Sequence, residues 1–432
     1  LKEEIYQNLI KDMYLINLYA MDANCVKKQQ IINDRYTTIH GTMLAIYLYF
    51  KWQEKTIGRI IADGIVRNAL TTQLINFSTG NMGVDVENGK QLKSYHQVKQ
   101  QVVKEKIAYL SRNLKELEIC LVEEENEEIY LFFEQLADLW ILMQLYKRGN
   151  FLAVEAIRKK VQILTMQNKI EDEEIADIQF QLPGILEQLE DRKKLQEYLQ
   201  QNEVLKDYDS LAGIAFQLRE VYRYSQTNLR VEEDVLYHIY INTVMCVLLA
   251  DWLTQQGEEI DGNQILLKSC FHDFSEYTGN EIIASMKAYS EETTALFKKI
   301  EDKDERKLKE SVGPVMYAII REYKKDKNGY VVDIIDKMIG IMKVWIEETI
   351  YGNKMMLKCF TADECKRFQR FYTSPYREEL VYPDFYTTLL KSHYIAIMED
   401  FLAQKDMNFF WNREEIQAIR ESIEEEKRLL EV

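Results

Sequence analysis

Proline and glycine are scarce in this chain, with 4 and 16 copies in 432 residues. Those two residue types punctuate strands and turns, so their scarcity argues against a strand-rich fold and for long helices joined by short loops. Long uncharged apolar runs are missing as well. None reaches the roughly 18 to 20 residues needed to span a bilayer, and no signal peptide is visible after Leu1. The six cysteines (Cys25, Cys120, Cys246, Cys270, Cys359 and Cys365) include no C-x-x-C pair. Several lie in apolar helical runs, where a free thiol behaves as a small hydrophobe, and they read as reduced cysteines of a cytoplasmic protein. Positive charge is also in short supply. With 55 Lys and Arg against 71 Asp and Glu, the net charge is −16, which repels nucleic acid backbones and anionic membranes and disfavours a large nucleic acid partner. A small anionic ligand stays compatible with that balance, because a divalent metal and a few basic side chains can invert the field inside a pocket. Histidine is rarest of the chemistry-bearing residues, with five copies.

What the chain does contain is apolar residues, 47% of the total, recurring at helical spacing almost everywhere. Examples are Ile39 to Leu48 and Ile334 to Met342. No stretch alternates with the period of a strand. The expectation is an all-α protein, and at this length one of two helical domains. Candidate breaks are Asn76 to Gly89, Lys169 to Asp177 together with Pro183 and Gly184, Gln256 to Gly262, and Lys325 to Gly329. These divide the chain into residues 1–165, a helical linker at 166–200, a second domain at 201–360 and a C-terminal helical extension at 361–432.

A similar order of features occurs twice. In the first half His40 is followed by Arg67-Asn68 in an apolar helix and then by Asp138 in another. In the second half His238 is followed by His272-Asp273 and then by Asp336, at comparable intervals. The pattern suggests a duplicated fold whose first copy has lost its site. Chance likeness between two amphipathic helical segments is the rival explanation. His40 has no His-Asp partner, and one histidine with one distant aspartate makes a poor metal site. The first half therefore reads as a packing or dimerisation domain, or as one holding a regulatory nucleotide. The acidic runs Glu123 to Glu128 and Glu424 to Glu426 read as solvated helix surface.

The second set is different in kind. His272-Asp273 interrupts an apolar run, and Asp336 is flanked by Ile334, Ile335, Met338 and Ile339. A half-buried imidazole or carboxylate costs several kcal/mol of desolvation unless hydrogen bonds or a metal compensate. Either histidine alone is most simply a buried residue with ordinary partners. Three such places together want a common explanation, and a shared metal supplies one.

The ordered set His238, His272-Asp273, Asp336 resembles the H…HD…D signature of the HD-domain phosphohydrolases. It is most similar to their bacterial 5'-deoxynucleotidase branch, over about residues 210 to 355. Arg223-Tyr224 stands where that branch has an Arg-aromatic element, Glu276 and Thr278-Gly279-Asn280 follow the His-Asp pair, and Lys287 and Glu347-Glu348 complete the likeness. The resemblance implies an HD fold for the second domain, with a degenerate copy in the first. It also implies a divalent ion (Mn, Co, Mg, Fe, Ni or Zn) on His238, His272, Asp273 and Asp336. Glu276, one helical turn after His272, is then expected to position or deprotonate a water, with Asp273 the other catalytic group. Arg223 is expected to hold phosphate, Tyr224 to stack near sugar or base, Asn280 to contact the substrate and Lys287 to assist with phosphate. The family has aspartate where this chain has Asn280, and usually tryptophan where it has Tyr224.

These readings converge on a cytoplasmic, homo-oligomeric hydrolase of deoxynucleotide phosphoesters. Its reaction would release phosphate from a monophosphate or triphosphate from a triphosphate, and by analogy it would drain nucleotide pools in antiphage defence. The rival from another class is a nucleotide sensor that signals to a partner protein, which the substitution at Asn280 favours and the presence of Glu276 disfavours.

Overall fold

The structure, a computed structural model, describes residues 127–166, 172–224, 229, 233–255, 257–278, 290–322, 325–349 and 352–353, with isolated positions on either side such as Ile39, Met43, Leu44 and Ile423. The described residues are helical and contain no strand. The nearest thing to sheet pairing is one antiparallel bridge between Tyr222 and Asp234. In order the helices are α1 (Glu127–Lys147), α2 (Ala153–Met166), α3 (Glu173–Gln188), α4 (Arg192–Gln201), α5 (Glu203–Leu218), α6 (Val235–Gln255), α7 (Gly262–Phe271), a short 3-10 helix (Phe274–Thr278), α8 (Glu291–Glu322) and α9 (Lys327–Thr349).

Their starts are written locally. Asp172, Asp191, Asn202 and Asp261 each precede a helix in extended conformation, and each side chain accepts from two backbone N–H groups of the first turn. Each cap satisfies donors that no intrahelical carbonyl can reach. Asp326 does the same for Gly329 at the start of α9. Positive φ at Gly257 ends the turn region after α6, as expected from Gln256 to Gly262.

One expected break is not a break. Pro183 and Gly184 lie inside α3, which runs on to Gln188. Proline removes one intrahelical bond, but the neighbouring glycine lets α4 approach closely. A Cβ added to Gly184 would sit 2.2 Å from the Tyr198 hydroxyl oxygen, and that hydroxyl donates to the Gln181 carbonyl at 2.7 Å. The pair forms a packing notch, stabilised by the helix it receives.

Burial follows the sequence patterning. Residues 132–143 of α1 and 235–247 of α6 are buried on every side, as expected of helices apolar all round. Amphipathic α3, α4 and α5 bury one stripe each, for example Ile175, Ile178, Leu182 and Ile185 of α3. The buried apolar residues form one core cluster that runs from Ile39 through α1 to α7 and α9 to Ile423. The stretch 166–200, expected as a linker, contributes to that same core through α3 and α4. No helix among the described residues is long and apolar enough to cross a membrane.

Inside this core, α1 carries two buried polar ties. Lys147 and Gln144 bond to Asp209 of α5, and Lys160 of α2, with no exposure at all, bonds to Gln135 and Asp138. Asp138, the aspartate of the first repeated pattern, is therefore committed to a lysine 2.6 Å away. His40 and Arg67-Asn68 lie outside the described residues.

Candidate metal centre

Helices α6, α7 and α9 pack against one another pairwise, and the site lies where they meet. His238 comes from the first turn of α6, where the Asp234 side chain caps the Tyr237 N–H at 2.7 Å and the Asp234 carbonyl accepts from His238 N–H at 3.0 Å. His272 is the C-cap of α7 and Asp273 stands in the turn after it. Asp336 lies on α9, nine residues beyond its start at Lys327.

These four residues each offer one ligand atom, and the four atoms lie within 4.8 Å of one another. His238 Nε2 is 3.0 Å from Asp336 Oδ1, 3.3 Å from His272 Nε2 and 3.4 Å from Asp273 Oδ2. His272 Nε2 is 3.3 Å from Asp273 Oδ2. Metal-to-ligand distances of about 2.0 to 2.2 Å place neighbouring donors about 3.0 to 3.5 Å apart, so these separations suit one shared cation. The proton arrangement agrees. His272 Nδ1 sits 2.7 Å from the Ser269 carbonyl, and a carbonyl can only accept, so Nδ1 carries the proton and Nε2 presents its lone pair inward. Two imidazole Nε2 atoms and two carboxylate oxygens converging in a buried space form a nitrogen and oxygen donor set suited to divalent first-row metals.

The neighbouring charges shift each of these groups in a definite direction. Burial by itself would raise the Asp336 carboxyl, but Lys337 and the two histidines hold it well below the usual range. Burial would also raise Asp273, yet His272 and His238 beside it hold it low. Burial would lower His272, but Asp273 and Asp336 leave it raised. Carboxylates that stay ionised inside a core are ready ligands.

Arg223 reaches the centre from the segment that precedes α6. Its N–H donates to the Glu233 carbonyl at 2.8 Å, and the Val235 N–H to the Val221 carbonyl at 2.9 Å. This short antiparallel pairing sets the Arg223 guanidinium 3.4 Å from Asp273 Oδ2 and 3.7 Å from Glu233 Oε1. Burial alone would lower its pKa, but Tyr224, Glu233, Asp273 and Asp336 raise it well above the ordinary arginine value. Tyr224 adopts φ of 56°, a conformation costly for an aromatic residue and common at functional sites. Its ring lies 5.4 Å from the Arg223 guanidinium, and only 6% of the residue is exposed.

Glu276 is half-buried and sits on the 3-10 helix. It does not share one continuous α-helix with His272, because α7 ends at Phe271 and a turn precedes the 3-10 helix. Its N–H donates to the Asp273 carbonyl at 3.0 Å, which ties the 3-10 helix to the His-Asp pair, and its side chain is not among the four converging donors. Asn280 and Lys287 lie outside the described residues.

Sequence reasoning missed Glu233, Lys337 and Lys343. Glu233 is 4% exposed and faces His238, Arg223 and Lys343. Burial opposes its ionisation, but His238, Lys343 and Arg223 lower its pKa to about 2. Lys337 bonds to Asp336 through the carboxylate oxygen turned away from His238. Helical spacing gave one usable hint, since Lys343 and Glu347 stand about two and three turns along α9 from Asp336.

Among known proteins, residues 211–372 match the family described as 5'-deoxynucleotidase YfbR-like, an HD-domain family of metal-dependent phosphohydrolases that act on small nucleotides. The match covers α5 from Leu211, α6 to α9 and the whole candidate centre. No curated protein and no solved structure matches the chain.

Proposed function

We propose that the segment matching the YfbR-like family is a working hydrolase of deoxynucleoside monophosphates, releasing inorganic phosphate. The observation that carries this reading is the convergence of His238, His272, Asp273 and Asp336 within 4.8 Å, inside the segment that matches a deoxynucleotidase family. A divalent ion held by these four residues would polarise a phosphoryl oxygen and lower the pKa of a bound water. The chain's own residues do the rest. Arg223, poised beside Asp273, binds the phosphate oxygens with a planar fork of donors. Glu276 accepts the proton of the attacking water, and Asp273 orients that water from the metal side. Tyr224, Asn280 and Lys287 contact the sugar, the base or the phosphate. The protein acts in the cytoplasm as a homo-oligomer.

Product analysis tests the proposal. Purified protein with Mn²⁺, Co²⁺ or Mg²⁺ is incubated with panels of dNMPs and dNTPs beside an Asp273→Ala control. Phosphate released from a monophosphate by the wild type alone is the expected result. Release of triphosphate would assign the triphosphohydrolase reaction instead. A nucleotide sensor is favoured by one specific feature, Asn280 where the family has aspartate, and metal-dependent nucleotide binding without turnover would establish it. Glu276→Ala separates the two readings further, since it should abolish turnover and spare binding if Glu276 is the base.

A further inference from the structure

We infer that Glu233 is a positioning residue of the metal centre, the carboxylate that fixes the tautomer and the orientation of His238. The inference rests on the metal reading above and extends it to a residue the sequence did not single out. His238 is completely buried, and its Nε2 faces Asp336, His272 and Asp273. An imidazole that ligates through Nε2 carries its proton on Nδ1, and a buried N–H needs an acceptor. For His272 that acceptor is the Ser269 carbonyl. For His238 the group facing Nδ1 is Glu233 Oε1, 3.6 Å away.

Two independent features single out this pair. His238 Nδ1 and Glu233 Oε1 are both buried atoms without a hydrogen-bond partner, although they face each other slightly beyond bonding distance. A small rotation of either side chain would satisfy both. The second feature is the anchoring of Glu233 itself. Its other oxygen, Oε2, faces Lys343 Nζ at 3.7 Å, and Lys343 lies on α9, the helix that carries Asp336. Lys343 is 3.8 Å from Glu347 Oε1, whose side chain accepts from Asn353 Nδ2 at 2.9 Å. Glu233 thus couples the His238 ring on α6 to the Asp336 helix through a chain of buried charges. A carboxylate behind a ligating histidine also raises the ring's basicity, which a neutral carbonyl does less.

Two readouts independent of turnover test this. The first is divalent-ion affinity, measured by chelator competition for wild type and Glu233→Gln, a variant that keeps side-chain volume and loses the charge. Affinity of the folded variant should fall about 10- to 100-fold. The second is the tautomer of His238 in ¹⁵N-histidine-labelled wild type, read from two-bond ¹H–¹⁵N correlations; with five histidines in the chain the assignment is tractable. Protonation at Nδ1 in the metal-loaded protein is expected. A folded Glu233→Gln protein that loses less than about fivefold in affinity would overturn the inference, as would a wild-type His238 protonated on Nε2. If Glu233→Gln does not fold, the wild-type tautomer decides alone. A wild type that binds no divalent ion would instead remove the metal reading, and this inference with it, so the two failures are distinguishable.

Discussion

Substituting Lys160 by methionine isolates the role of the first half's aspartate. Lys160 is wholly buried and Asp138 is 7% exposed, with 2.6 Å between Nζ and Oδ2. Methionine keeps the length and apolar stem of lysine, so little packing volume is lost. What changes is that Asp138 and Gln135 lose a charged donor while staying inside the core. Removing one partner of a buried pair costs about 3 to 5 kcal/mol, because the remaining carboxylate must stay desolvated or take up a proton. Replacing both groups by apolar ones of similar size is commonly neutral or mildly stabilising. Lys160→Met should therefore lower the urea midpoint by an amount equivalent to about 3 to 5 kcal/mol, and Asp138→Leu with Lys160→Met should recover most of that loss. Adding Mn²⁺ should not change the result for either variant. The reasoning is refuted if Lys160→Met costs less than about 1 kcal/mol, or if Mn²⁺ restores its stability, since a metal at Asp138 would then be the better account of that residue.

Three further outcomes follow from the structure. Saturating divalent metal should raise the melting temperature of chelator-treated wild type by the equivalent of about 2.7 kcal/mol at a hundredfold excess over Kd, and Asp336→Ala should abolish the rise in differential scanning fluorimetry. Burial raises the Cys246 thiol well above its ordinary value and pushes Cys270 up to about 12. In the unfolded chain both ionise near pH 9, so native stability from these groups is intact below that pH and declines as pH rises through the folded value. Both thiols should resist iodoacetamide at pH 8 until denaturant is added, as mass spectrometry of the alkylated peptides would show; fast native labelling would contradict their burial. Gly184→Ala should destabilise by about 1 to 3 kcal/mol through overpacking, because its Cβ meets the Tyr198 hydroxyl oxygen at 2.2 Å; a urea midpoint unchanged from wild type would show that Tyr198 moves aside freely.

The site illustrates how a core can hold charge. His238, His272 and Asp336 are all less than 9% exposed, an environment that ordinarily neutralises carboxylates. Here the cost is offset within the cluster, by Lys337 on Asp336, Arg223 on Asp273, and Lys343 on Glu233. The Asp336, Asp273 and Glu233 carboxyls are held well below their ordinary range, and such displacement concentrates at functional sites.

Much of this was determined by the sequence itself. Low proline and glycine with unbroken helical periodicity dictated an all-helical chain, because hydrophobic spacing and turn chemistry are local properties. His272-Asp273 and Asp336 stood out as polar residues in apolar runs, the resemblance to the H…HD…D signature added His238 and the ligand roles, and the caps Asp172, Asp191, Asn202 and Asp261 stand where local donors require them. Other features were decided only by tertiary structure. Pro183 could remain inside a helix because Tyr198 packs into the notch beside it. Glu276 stands on a separate 3-10 helix because α7 stops at Phe271. The partnership of Lys160 with Asp138, and of Glu233 with His238 and Lys343, joins residues on different elements. A charged residue in a polar stretch looks the same in sequence whether it meets water or a buried partner; only the packing of one helix on another decides which, since desolvation depends on what surrounds the group in space.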